Sequence, residues 1–216
     1  MNLYGIAFSS VVGLLTLPLA QAASTVELTV QGRITPLACV PTLSGGGVVD
    51  LGRISYQDLN IETGTRLQLR QLSLGISCNG PTRFVLLMTD NRDGSANVNS
   101  EIYYGLGFDN KGNKVGLFSV SFDPKLTVAD SLPQIYGTES TTGGAAWRTS
   151  NLRPIDIGSR SYLGFTDIEG STAGPSAIQD LNSLLNIEVV LAALKNLDLS
   201  SDVRIDGSGS LHIKYL

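Results

Sequence analysis

Residues 25–39 read T-V-E-L-T-V-Q-G-R-I-T-P-L-A-C, and Val26, Leu28, Val30, Gly32 and Ile34 occupy every second position. In extended backbone successive side chains point to opposite faces, so these five share one side. The pattern predicts a β-strand with a single apolar face. A glycine in that face buries nothing of its own. What it offers is a place where the backbone can lie close against whatever covers the strand.

The residues before this stretch read as an export signal. An apolar run extends from Ile6 to Ala20, and Ala20 and Ala22 have the A-x-A spacing of a signal-peptidase site. A signal peptide is therefore expected over residues 1–22, although no Lys or Arg precedes the run. A membrane anchor needs about 20 apolar residues, more than the run supplies. What remains fits one domain on the prior of about 100–200 residues per domain.

The formal charge is −4, and Lys and Arg are not clustered. Such a chain is poorly suited to nucleic acid, whose binding rests on neutralising phosphates. Two cysteines in an exported chain, Cys39 and Cys78, are expected to form a disulfide, because oxidising compartments allow it. In the chain-entropy model, closing a loop of about 40 residues contributes about 4 kcal/mol.

After Cys39 apolar residues mostly alternate, among many Gly, Ser, Thr, Asn and Asp. This is an all-β pattern. Strands are expected at Val48–Ile54, at Leu67–Cys78 with a bulge where the phase changes near Arg70 and Gln71, and at Thr82–Thr89, a nearly continuous apolar run. Ile102–Phe108 and Val115–Phe122 flank the polar link Asp109-Asn110-Lys111-Gly112-Asn113, the strongest hairpin signal in the chain. Residues 137–175 read as loops interrupted by a strand at Ser161–Phe165. Ile178, Leu181 and Leu185 have helical spacing, which admits a short helix before a strand at Ile187–Leu191. The last strand is Gly209–Leu216. Short strands separated by Gly-rich turns argue for a two-sheet sandwich.

Catalytic and metal-binding patterns are weak. His212 is the one histidine, on the polar side of the last strand, so neither an imidazole metal cluster nor a Ser-His-Asp arrangement is expected. Asp90, Asp93 and Asn97 could surround a cation, yet Arg92 stands where a calcium loop needs an oxygen ligand, and a turn held by Asx hydrogen bonds fits better. Gly105-Leu106-Gly107 lacks the third glycine and the helix of a dinucleotide site. Asp167 and Glu169 form a carboxylate pair on a polar loop. Trp147, in a Gly/Thr-rich loop, could stack on a sugar or cover a satellite core; the second reading is favoured. No enzyme activity and no cofactor are expected.

Strands can act without side-chain chemistry, because an extended segment can add itself to another protein's open sheet edge. Val26, Leu28, Val30 and Ile34 would contribute roughly 6 to 12 kcal/mol together on full burial, as an upper bound. An ordinary first strand of a sandwich has the same composition.

The stretch L-T-V-Q-G-R-I-T-P-L-A-C resembles the N-terminal extension of chaperone-usher pilus subunits, in which alternating apolar residues with a glycine in phase precede the first cysteine. On that likeness Val26, Leu28, Val30, Gly32 and Ile34 are donor residues, and Cys39 and Cys78 are the subunit disulfide. Leu72-Ser73-Leu74-Gly75-Ile76-Ser77-Cys78 is similar to the strand that reaches the second cysteine. The final strand resembles the family's C-terminal signature, with Tyr215 second from the end and Gly209, Leu211 and Ile213 in phase before it. The glycine often found 14th from the end is Val203 here. Segments of the middle, P-L-A-C-V-P-T-L-S-G-G-G, D-N-R-D-G-S and G-L-G-F, look like a bacterial family of fimbrial proteins of unknown function.

The resemblance implies an immunoglobulin-like, pilin-type β-sandwich over residues 37–216 that lacks its final strand, with a donor segment over 23–36. It implies a periplasmic chaperone that pairs with the Gly209, Leu211, Ile213, Tyr215 strand, an outer-membrane usher, and neighbouring subunits that exchange strands. The product would be a cell-surface fimbria reached through the periplasm. The alternative is a self-completed secreted sandwich binding a ligand such as a carbohydrate through the loops near Trp147. Where residues 25–34 lie separates the two.

Overall fold

Alternating apolar residues after Cys39 produce eleven β-strands and, among the described residues, no α-helix. The computed structural model describes residues 26–32 and 38–216, which belong to two separate units. The expected signal peptide, residues 1–22, and Ile34 lie outside the described residues.

The larger unit contains β1 (Cys39–Leu43), β2 (Thr65–Arg66), β3 (Arg70–Thr82), β4 (Phe84–Asp90), β5 (Tyr104–Gly105) and β6 (Gly116–Ala129). There follow β7 (Tyr136–Ser140), β8 (Ile155–Asp156), β9 (Tyr162–Thr166), β10 (Ile178–Leu191) and β11 (Gly209–Tyr215). One sheet has the order β1-β3-β10-β6-β5, with β2 on β10 and β8 on β6; the other has the order β11-β4-β9-β7. Every pairing is antiparallel. The expected all-β sandwich of two sheets is what forms.

The core lies between the sheets. Leu74, Ile76 and Cys78 of β3 and Leu181, Leu185, Ile187 and Val189 of β10 point inward from the large sheet. Phe84, Leu86 and Met88 of β4 and Leu163 and Phe165 of β9 meet them from the small one. Phe165 joins the two layers, with its ring 4.8 Å from Phe122 of β6 and 5.7 Å from Phe84. Val85, on the other face of β4, is buried as well, as its continuous apolar run predicts.

Several expectations change on the fold. The helical spacing of Ile178, Leu181 and Leu185 is not a helix. All three are buried on β10, and the offset of three arises because the register slips between Ile178 and Asp180. Asp130, at φ 48°, stabilises this irregularity by accepting the Gln179 and Asp180 N–H groups at 3.2 and 2.7 Å. Beyond it Leu181, Ser183, Leu185, Ile187, Val189 and Leu191 alternate inward without a break.

The phase change near Arg70 is a one-residue excess. From Arg66 to Arg70 the chain advances four residues while β10 advances three, from Val190 back to Ile187. This is the bulge expected there. β6 is longer than expected because a second slip, opposite Ser183 and Leu185, absorbs Asp123-Pro124. Proline is tolerated at such irregularities because no ladder bond is required of it. The hairpin forms as expected, with Tyr104 opposite Phe118, a bridge between Phe108 and Lys114, and Gly112 at φ 81° in the turn. The strand at Ser161–Phe165 is present as β9, whereas β7, polar and short, was not foreseen.

Two segments expected as strands have no ladder partner among the described residues. Residues 48–54 are irregular, with Gly52 at φ 66°. Residues 26–32 carry no regular secondary structure, and Val26, Leu28 and Val30 are 95, 87 and 87% exposed. Alternation makes a strand possible; hydrogen-bonding partners make it one.

Candidate functional site

A sheet edge offers unpaired backbone groups to any other extended chain, and proteins usually blunt or cover it. Three of the four edges here are managed. β7 is covered by residues 148–151, whose backbone exchanges hydrogen bonds with Gly137 and Glu139 at 2.8–3.0 Å. β1 is five residues long and carries Pro41, and β5 is two residues long. β11, seven residues long, pairs among the described residues with β4 alone.

The register of β11 decides which groups it leaves open. Asn91 N–H donates to the Ser208 carbonyl, and Leu216 N–H to that of Arg83. Bonded pairs alternate in an antiparallel ladder. Ser210, His212 and Lys214 therefore direct their backbone groups to Thr89, Leu87 and Val85. Gly209, Leu211, Ile213 and Tyr215 turn theirs to the outer edge. The same alternation lays Leu211 and Ile213 against the core. Outward backbone groups thus belong to Gly209, Leu211, Ile213 and Tyr215, and of these Leu211 and Ile213 also face the core.

Beside this edge lies a groove of about 1320 Å³ within the larger unit. Met88, Phe118, Val120, Ile187 and Val189 form its floor, each 9% exposed or less. One rim is the irregular segment with half-buried Val49, Leu51 and Ile54. The other is residues 197–208 leading into β11, where Val203 and Ile205 pack on the core. Among the described residues no backbone hydrogen bond joins residues 48–59 to 199–216. The rims are close enough to shield the floor, yet they do not pair with each other.

Val203, noted in the sequence only as standing in place of a glycine, and Ile205, not singled out, extend the alternation of β11 backwards: Val203, Ile205, Gly207, Gly209, Leu211, Ile213, Tyr215. The glycines in this series are contact points. A Cβ on Gly207 would stand 2.8 Å from Leu106 Cδ2 and 3.1 Å from the Phe118 ring, and one on Gly209 2.1 Å from Met88 Cε. The backbone lies directly on the groove floor there.

The other end of β11 is tied to the disulfide. Cys39 and Cys78 are bonded, opposite each other on β1 and β3. The Cys39 N–H donates to the Tyr215 hydroxyl at 2.8 Å. The cross-link therefore fixes the start of β1, and β1 holds the end of β11.

The remaining candidates have structural partners. His212 is exposed with its ring nitrogen 3.1 Å from Thr89 Oγ1. Asp90 accepts from the Arg92 and Gly105 N–H groups, both at 2.8 Å, as an Asx turn does. Asp167 accepts from the Ser176 hydroxyl. Trp147 is half-buried over Gly174, and its indole N–H donates to the Gly144 carbonyl at 3.1 Å, so it covers a satellite core. The buried Tyr104 hydroxyl donates to the Ile157 carbonyl at 2.6 Å; burial, then nearby Asp90, Glu101 and Asp156, push its pKa far up.

Comparison with known proteins places the chain beside bacterial relatives. A family model described as "Protein of unknown function (DUF1120)" matches residues 28–103, which include the disulfide loop and one rim of the groove. The chain is 24% identical to the uncharacterized protein YhcF of Escherichia coli (strain K12), over 91% of this chain and 93% of that one. It is 28% identical to the protein GltF of the same organism, over 92% of this chain and 91% of the relative. Similarity at this level runs along nearly the whole chain.

Proposed function

We propose that the protein is a structural, non-enzymatic subunit of a chaperone-usher fimbria that polymerises by donor-strand exchange. The observation that supports this reading is that, among the described residues, no segment pairs with the outer edge of β11 and no strand occupies the apolar groove beside it. The immunoglobulin-like, pilin-type character of the sandwich belongs to the same proposal. In this reading a periplasmic chaperone covers the edge until an outer-membrane usher brings a second subunit, whose segment around Val26, Leu28, Val30, Gly32 and Ile34 replaces it.

The energetics are adequate. Val26, Leu28 and Val30 start almost fully exposed. Burying them would contribute roughly 4.5 to 9 kcal/mol as an upper bound, before any backbone pairing. On this reading Gly32 lets the donor backbone lie close against the strand it joins. Head-to-tail insertion joins two different surfaces and does not close, so a filament grows.

The test is a chain lacking residues 23–34, produced with a candidate periplasmic chaperone. It should bind the chaperone and accept a donor strand from an intact subunit, yet donate none itself. Normal fibres assembled from the shortened chain alone would refute the reading.

A further inference from the structure

The alternating N-terminal segment and the outer edge of β11 have the same length. Val26, Leu28, Val30 and Gly32 span seven residues and share one face of an extended strand. Gly209, Leu211, Ile213 and Tyr215 also span seven residues and turn their backbone groups outward. Side chains of paired residues lie on the same face of a sheet, so a slip of one residue would turn the donor's apolar face to solvent. The choices left are strand direction and slips of two residues.

The groove floor selects among them. A Cβ on Gly209 would run into the Met88 methyl, and one on Gly207 would stand 2.8 Å from Leu106 Cδ2. Space between backbone and floor is therefore scarce at both positions and least at Gly209. In an antiparallel match of the two seven-residue spans, Gly32 stands opposite Gly209, Val30 opposite Leu211, Leu28 opposite Ile213 and Val26 opposite Tyr215. A slip of two residues puts Val30 or Ile34 opposite Gly209 instead. A parallel match of the same spans puts Val26 there and Gly32 opposite Tyr215. A parallel strand brings Gly32 to Gly209 only by leaving Leu211, Ile213 and Tyr215 without Val26, Leu28 and Val30. Antiparallel pairing is also slightly stronger per residue, and every pairing of the described sheets is of this kind.

The charges are compatible with this alignment. Glu27 falls opposite Lys214, whose ammonium lies over the Tyr162 ring, 4.6 Å from its centre, and which joins no ion pair among the described residues. At the other end Arg33 falls opposite Ser208, two residues beyond Asp206, and Asp206 is already paired with Arg92 at 2.8 Å. With Arg204 nearby in the chain as well, that end adds no net attraction. An opposite-charge pair across two strands changes affinity by about fivefold at most, so the glycine rather than the charge sets the register.

We infer that the outer edge of β11 takes the Val26–Gly32 segment of a second copy of this same chain, antiparallel, with Gly32 opposite Gly209 and Val26 opposite Tyr215. The inference rests on the strand-exchange reading and adds to it the partner, the direction and the register. In this register Gln31 faces Ser210 and Glu27 faces Lys214 on the solvent side. Such directly opposed pairs have Cα atoms about 4.5 Å apart, within reach of a disulfide. The experiment uses the full chain from residue 23 onward, with its Cys39–Cys78 bond already formed. A donor carrying Gln31→Cys is mixed under mild oxidation with acceptors carrying Ser208→Cys, Ser210→Cys, His212→Cys or Lys214→Cys. Cross-linked pairs are separated without reductant and the joined peptides identified by mass. The Ser210→Cys acceptor should cross-link at least about fivefold more than the other three. A donor carrying Glu27→Cys should select Lys214→Cys, so the register is read twice and does not depend on either serine variant folding. Gly32→Val in the donor should weaken association about tenfold or more. Preference for Ser208 or His212 by the Gln31→Cys donor would mean a slipped register, and preference for Lys214 a parallel strand; either overturns the inference. So does association that survives Gly32→Val unchanged. Assembly seen by light scattering without any preferred cross-link removes the register and leaves strand exchange standing, whereas neither assembly nor cross-link removes both.

Discussion

Replacing Gly207 by valine tests whether the backbone must lie on the groove floor. A Cβ at this position would meet Leu106 Cδ2 at 2.8 Å and Phe118 ring carbons at 3.1 and 3.2 Å. Neither neighbour can move away easily. Leu106 is 2% exposed, and the Phe118 ring stands 5.3 Å from Tyr104, itself 1% exposed and held by its hydroxyl bond to Ile157. The segment from Val203 to Gly209 must therefore lift. Overpacking of this kind costs about 1–3 kcal/mol. Removing a glycine restricts the unfolded chain and returns about 0.4–1 kcal/mol, so the net effect remains destabilising. At about 2–4 °C per kcal/mol for a chain of this size, the melting temperature should fall by several degrees.

The functional readout is a synthetic peptide of residues 23–36 added to the shortened chain that lacks its own donor segment. The lifted rim no longer aligns with β11, so peptide affinity should drop by about five- to a hundredfold, the equivalent of 1–3 kcal/mol. Calorimetry measures both quantities. A folded Gly207→Val variant with unchanged melting temperature and unchanged peptide affinity would refute the close contact and the role of this rim in the acceptor groove.

Two further outcomes are expected. The Asp109 carboxyl is pushed up by burial, but hydrogen bonds from Asp198, Asn113 and Lys111 outweigh this and lower its pKa from 3.8 to about 2. A depressed folded pKa gives stability that is present above 3.8 and is lost as pH falls toward about 2. The gap in urea midpoint between wild type and Asp109→Asn should narrow across that window, and a constant gap would count against the assignment. Tyr215→Phe removes the acceptor of the Cys39 N–H. With Tyr215 45% exposed, water can replace part of the bond, so a loss at the lower end of about 0.5–1.5 kcal/mol is expected. Faster amide exchange should appear at the Tyr215 end of β11; exchange identical to wild type there would show that the contact does not hold the edge.

Much of the sandwich was legible because strand alternation is a local property. Leu72, Leu74, Ile76 and Cys78, the Asp109–Asn113 turn and the Gly209–Tyr215 strand are each readable within a few residues. The misreadings occur where irregularities disturb the period. Ile178, Leu181 and Leu185 imitate a helix because the register slips between Ile178 and Asp180, at a point stabilised by the distant Asp130, and the inward spacing there is three instead of two. Val48–Ile54 has strand composition and no ladder, because nothing in the described fold pairs with it.

The sequence by itself determined the two-sheet class, the disulfide partners and the inward face of β11, since each follows from residue type and spacing along the chain. Tertiary structure decided the rest. That residues 148–151 cover β7 while no described segment pairs with the outer edge of β11, and that Val203 and Gly207 continue the β11 series along a groove, are matters of which distant segments meet. Pairing across such separations depends on the whole register of both sheets, which no local pattern encodes.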